Sequence, residues 1–176
     1  AIAQQRDKPK TFLLDMFYEA VAGNSANNGS DFAEIALHDY ELEEISPKTI
    51  IEKYPEASRF LVNDSMMIFK NEVVIQGFIE DFADGDARIL IKNFIFKKRV
   101  SINLNLYGQL EEEVFNASRL TIRHCVFEDE QWTWFSNFVI HINESRFRSL
   151  ELINESMIAP SVVIVNCQID YLMFWT

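Results

Sequence analysis

The sequence predicts a mainly β chain: a β-solenoid, or parallel β-helix, of about four 30-residue units with a small N-terminal helical cap. Three observations carry this. First, four segments repeat, "RFLVNDSMM" from Arg59, "RILIKNFIF" from Arg88, "RLTIRHCVF" from Arg119 and "SLELINESMI" from Ser149, with starts 29, 31 and 30 residues apart. Second, each alternates two apolar residues before a short polar one: Phe60, Val62, Asp64; Ile89, Ile91, Asn93; Leu120, Ile122, His124; Leu150, Leu152, Asn154. Period-two alternation is the mark of a strand with one buried face. Third, the polar residue stands where the chain must turn, and Asn, Asp and His enter left-handed backbone more readily than other non-glycine residues. With only five Gly and four Pro, such residues must do much of the turning.

The elements follow in order. Residues 1–57 read as a helical cap. "KTFLLDMFYEAVAG" sets Leu13, Leu14, Phe17, Tyr18 and Val21 on one helical stripe and stops at Gly23. "DFAEIALHDY" reads as a second helix starting at Asp31. "SPKTIIEKYP" offers Ser46 as N-cap, Pro47 at the first helical position and Pro55 as terminator. Residues 58–176 carry the repeat, with a looser second set of strands between the aligned segments: "EVVIQGF", "RVSINLNLY", "NFVIHINESRF" and "SVVIVNCQI". A unit of this kind cannot bury its own apolar face and needs neighbours on both sides. An antiparallel β-sandwich is the alternative, although Asp84-Gly85 is the one hairpin dipeptide in the strand region.

Composition bounds the function. An apolar fraction of 48% with fifteen Phe indicates a packed core, and 176 residues suffice for one. A formal charge of −11 repels nucleic-acid backbones and anionic membrane surfaces, so neither is an expected partner. Cys125 and Cys167 each lie in an apolar run and read as small buried hydrophobes, which favours the cytoplasm. The start at Ala1-Ile2-Ala3 is equally compatible with a removed leader, a cloning remnant or an excised fragment.

Candidate chemistry is sparse. Asp81, Asp84 and Asp86 gather around Gly85 and offer oxygen ligands for Ca²⁺, but the spacing misses the EF-hand pattern and a solvated acidic turn is the better reading. His124, Cys125 and His141 are too few and too scattered for a Zn²⁺ site, and His124 falls at the turn position of the repeat. "EDEQWTWFSNF" places Trp132 and Trp134 on one side of a strand beside Glu128, Asp129 and Glu130. Solvent-facing aromatic rings stack on sugars, and neighbouring carboxylates accept sugar hydroxyls or, suitably spaced, cleave glycosidic bonds. Against this, strand aromatics are ordinarily core and acidic runs ordinarily solvated. Trp132, Trp134, Glu128 and Asp129 are therefore binding candidates, and no catalytic set is assigned. Asn28, Asn63, Asn116, Asn143 and Asn154 match the glycosylation pattern, but Asn143 and Asn154 are explained as turn residues of the repeat.

The segments Asn143–Phe147, Asn154–Ile158, His124–Phe127 and Asn166–Ile169 resemble degenerate turns of right-handed parallel β-helix proteins, pectate-lyase-like coils and, more distantly, pentapeptide-repeat proteins. The resemblance spans residues 59 to 170 and brings no catalytic motif with it. The expected function is a non-enzymatic binding or scaffold module that displays its surface to a protein or a glycan. A polysaccharide-active enzyme is one competitor, and an acidic inhibitor or immunity protein is another. The apolar end "YLMFW" either folds back as its own plug or is buried against another surface; burial is the expectation, against further chain or against a second copy in a homodimer through the C-terminal end.

Overall fold

The computed structural model describes residues 13–23, 32–37, 43–78, 88–105, 119–136, 138–155 and 162–175. Over them the protein is mainly β, with a few short helices. Elements run α1 (Leu13–Ala22), β1 (Phe32–Leu37), β2 (Glu43–Ile45), α2 (Pro47–Lys53), a 3-10 helix (Pro55–Phe60), β3 (Leu61–Val62), β4 (Met66–Phe69), β5 (Glu72–Phe78), β6 (Arg88–Lys92), β7 (Phe94–Phe96) and β8 (Val100–Asn105). They continue with β9 (Arg119–Arg123), β10 (Val126–Ser136), β11 (Val139–Asn143), β12 (Arg146–Asn154), β13 (Val162–Val165) and β14 (Gln168–Trp175).

Two sheets collect these strands. The larger runs β1, β5, β8, β10, β12, β14, with β4 and β7 joining through the first residues of β10. The smaller runs β2, β6, β9, β11, β13. Among the described residues every ladder is parallel except the two-residue pairing of β3 with β4, which is all the support they give an antiparallel sandwich. From β9 onward the chain alternates between the two sheets, and each strand pairs in parallel with an earlier strand of its own sheet, β9 with β6, β10 with β8, β11 with β9, β12 with β10, β13 with β11 and β14 with β12.

The alternation read from the sequence sets which residues fill the space between the sheets. Ile89, Leu120 and Ile140 align, as do Ile91, Ile122 and Ile142, and all six are buried. In the larger sheet Ile75, Ile102, Thr133 and Leu152 form the matching inward column. A column of rings runs beside them. Phe69 stacks on Phe96 at 4.8 Å, Phe96 on Phe127 at 4.8 Å and Phe127 on Phe147 at 4.5 Å. That spacing is the strand separation itself, because parallel in-register strands repeat every ~4.8 Å and hold equivalent side chains face to face.

Turns join the sheets where left-handed residues sit: Asn93 (φ 66°), His124 (φ 55°), Glu144 (φ 50°) and Asn166 (φ 53°), whereas left-handed Asn63 and Asp64 turn the chain within the larger sheet, between antiparallel β3 and β4. His124 Nδ1 lies 2.8 Å from Asn93 Oδ1, so the turn residues form a short side-chain ladder. Here the fourth repeat copy needs correcting. The counterpart of 88–96 and 119–127 is 139–147, with Glu144 at the turn, while Ser149–Asn154 continue strand β12. Asn154 pairs with Phe135 inside the sheet rather than turning. The twin Asn-Glu-Ser tripeptides are therefore not equivalent. Ser145 donates to the Asn143 carbonyl and accepts from Cys125 N–H, locking its turn to the tier below.

The N-terminal segment also departs from expectation. Phe32–Leu37 is a strand, not a helix: it pairs in parallel with β5, burying Ala33 and Ile35 and exposing Glu34. Ala, Glu and Leu favour helix locally, but a full ladder and a buried face outweigh tenths of a kcal/mol of propensity. The same segment holds strand β2, paired with β6, and the repeat copy read from Arg59 begins in a 3-10 helix and turns through the antiparallel β3–β4 pairing instead of forming one strand; the helix ends agree with the sequence. Ser46 caps α2 in a reciprocal box with Thr49, and Gly23 (φ 80°) ends α1. Buried Phe17 of α1 meets Phe69 and Phe94 edge-on or tilted, each at 5.8 Å. The Glu43 carboxylate accepts the Leu14 N–H at 3.1 Å, and burial raises its pKa above the ordinary carboxylate value. Asp15 holds α1 to α2 by accepting from the Tyr54 hydroxyl and pairing with Lys53 at 2.7 Å.

No described helix is long and apolar enough to cross a membrane.

Candidate functional site

Strand β10 sets the geometry. Gln131, Thr133 and Phe135 point inward and are buried, so parity turns Trp132 and Trp134 outward. Trp132 aligns with Glu151 of β12, which aligns with Met173 of β14. Trp134 aligns with Ile153, which aligns with Trp175. Glu130 aligns with Ser149 and then Tyr171. Trp134, Tyr171 and Trp175 are each about half exposed. Three strands thus place four large aromatic side chains on one outer face.

Polar groups hold these rings. The Arg99 guanidinium lies 4.7 Å from the Trp132 ring centre and 3.6 Å from Glu130. The Trp175 indole N–H donates to Glu151 Oε1 at 2.8 Å. A cation over an indole and a carboxylate on an indole N–H both restrict ring rotation, leaving flat faces already ordered.

The acidic candidates take a different place. Phe96 aligns with Phe127, and Val100 with Gln131, so Lys97-Lys98-Arg99 lies over Glu128-Asp129-Glu130 at a corner of opposite charge. Glu128 is salt-bridged to Lys97 at 2.9 Å. Asp129 Oδ1 accepts the Glu130 N–H at 2.7 Å, stabilising the irregularity where β10 carries one residue more than β12. Glu128 and Asp129 are corner residues, and the carboxylates nearest the aromatic face belong to Glu130 and Glu151. Sequence reasoning missed Arg99, Glu151, Tyr171 and Trp175. The "YLMFW" run did hold a signal, since Tyr171 and Trp175 share the parity of Trp132 and Trp134 once strand direction is known.

Asp81, Asp84 and Asp86 lie outside the described residues. Among the described residues no three His, Cys, Asp or Glu side chains converge as a metal-binding group. His124 serves the turn, and His141 faces outward from β11 between Thr121 and Val163. Burial, then the neighbouring Arg119 charge, holds the His141 imidazole below its ordinary pKa. Cys125 is fully buried, and burial pushes its thiol up to about 12.

Comparison with known proteins finds no matching family model, no similar curated protein and no similar solved structure.

Proposed function

We propose that the protein is a β-solenoid binding module, without catalytic activity of its own, whose outer sheet face takes a glycan. The observation that carries this is the grouping of Trp132, Trp134, Tyr171 and Trp175 on three neighbouring strands. Sugar rings present flat C–H faces that stack on indole and phenol, while Glu130, Glu151 and the Arg99 guanidinium offer hydrogen bonds at the rim. Parallel stacking with left-handed turn residues supports the solenoid architecture, as does the likeness of the 124–127, 143–147 and 166–169 segments to parallel β-helix turns. Engagement of Glu128 by Lys97 and of Glu130 by Arg99 gives both carboxylates structural partners, which favours binding over the polysaccharide-cleaving alternative.

Tryptophan fluorescence titrated with a panel of neutral and acidic oligosaccharides tests the reading. At least one should bind, and Trp134→Ala and Trp175→Ala should each weaken it about tenfold or more, consistent with loss of an aromatic anchor. Binding unaffected by both substitutions, or by none of the panel, would remove the glycan reading. Depolymerisation of any panel member would replace it with the enzymatic one.

A further inference from the structure

We infer that the outermost tier, β13 with β14, is a contact between two copies of this chain, joined edge to edge by a two-fold axis. This does not rest on the glycan reading.

The two ends of the strand stack are finished differently. At one end α1 covers the first tier, with Leu13 and Phe17 buried and Glu43 accepting the Leu14 N–H. At the other end β13 and β14 are the last described strands of their sheets, each hydrogen-bonded on one side only among the described residues. Among the described residues, six of the seven exposed large hydrophobic ones fall on these two strands: Val163, Val165, Tyr171, Leu172, Phe174 and Trp175. Leu172 and Phe174 continue the inward columns of Leu150 and Leu152, which are buried. They are half exposed because nothing lies beyond them among the described residues.

Three arguments select a second copy as the occupant. The first is charge. The chain carries −11, yet Asp170 is the single charged side chain in Val162–Val165 and Gln168–Trp175. Two copies meet here with less repulsion than elsewhere on an acidic surface. The second is self-complementarity. An antiparallel pairing of β14 with its symmetry mate centred on Met173 sets Leu172 against Phe174 and Tyr171 against Trp175. Both pairs keep their own face, inward with inward and outward with outward, and such aromatic cross-strand pairs stabilise a ladder. Asp170 falls outside the paired stretch. The third is area. Six side chains about half exposed, three of them aromatic, offer on the order of 500 Å² per copy. About 1,000 Å² over the pair reaches the lower limit of specific interfaces. With the other end covered by α1, the isologous contact closes at two copies.

Sedimentation velocity of the full chain, from low micromolar to sub-millimolar concentration, tests this. The expected result is a twofold mass that dissociates on dilution, and a folded monomer for Leu172→Lys, Phe174→Lys. A wild-type monomer throughout, or growth beyond two copies, overturns the proposal. Dimerisation that survives the double substitution overturns the placement. Hydrogen exchange of the wild-type chain covers the case in which the variant fails to fold. Amides of β13 and β14 should gain protection as concentration rises while β9 and β11 do not change. Protection of β13 and β14 that is independent of concentration also overturns it.

Discussion

At the scale of single residues, two buried groups say how the core tolerates polarity. Cys125 is enclosed, and its thiol is raised to about 12 by burial. A thiol with a raised folded pKa contributes stability below its unfolded value of about 8.5 and loses it as pH rises beyond that. Native protein should therefore react with a thiol reagent at the partly exposed Cys167 alone, and at both cysteines once unfolded. Two fast thiols in the native state would place Cys125 wrongly. Gln131 is the second case. Its amide N–H donates to Thr133 Oγ1 at 2.7 Å, but its Oε1 finds no partner among the described residues, with Val100 and Leu150 aligned on either side. Replacing both members of a buried polar pair by apolar residues of similar shape is close to neutral or stabilising. Gln131→Leu with Thr133→Val should therefore keep or raise the melting temperature. A marked drop would mean that the pair is needed for packing.

At the scale of elements, the stacked rings and the left-handed turns tie neighbouring strands together. Phe96 is buried between Phe69 and Phe127, so Phe96→Ala should cost about 3–5 kcal/mol in denaturant melts with an unchanged two-state slope. A loss below about 1 kcal/mol would show the column to be dispensable. His124 at φ 55° has a separate requirement. His124→Asn should be nearly neutral, whereas His124→Val should cost about 1–2 kcal/mol, because a β-branched side chain crowds its own carbonyl in left-handed backbone. Equal losses for the two would point to the Asn93 hydrogen bond rather than the turn.

At the scale of the whole molecule, each described strand from β9 onward pairs with an earlier one, and α1 packs against the strands that come first. Phe17→Ala removes a buried ring against Phe69 and Phe94 and should lower stability by about 3–5 kcal/mol. In a stack held by nearest-neighbour contacts the loss should be uneven. Hydrogen exchange should speed up first in β1, β4 and β5 and least in β11 and β12. Uniform acceleration across all tiers would show one fully cooperative unit instead.

What the sequence determined by itself is the local grammar. Alternating residues such as Ile89-Leu90-Ile91 and Leu120-Thr121-Ile122 declare strands with one buried face, and Asn93 and His124 declare turns. Both are properties of a few consecutive residues. Ser46-Pro47 and Gly23 likewise mark helix ends through caps that need no distant partner. The tertiary structure alone decided what depends on partners. Phe32–Leu37 became a strand because β5 supplies a ladder, against its local preference. Glu144 rather than Asn154 took the turn because register with β9 and β13 fixes where β11 ends. The aromatic face draws Trp132 and Trp134 together with Tyr171 and Trp175, some forty residues later, and only parallel stacking of β10, β12 and β14 brings those rings onto one surface. Strand parity is written locally, whereas which strand lies beside which is set by burial of the shared core, a sum over contacts that no short stretch contains.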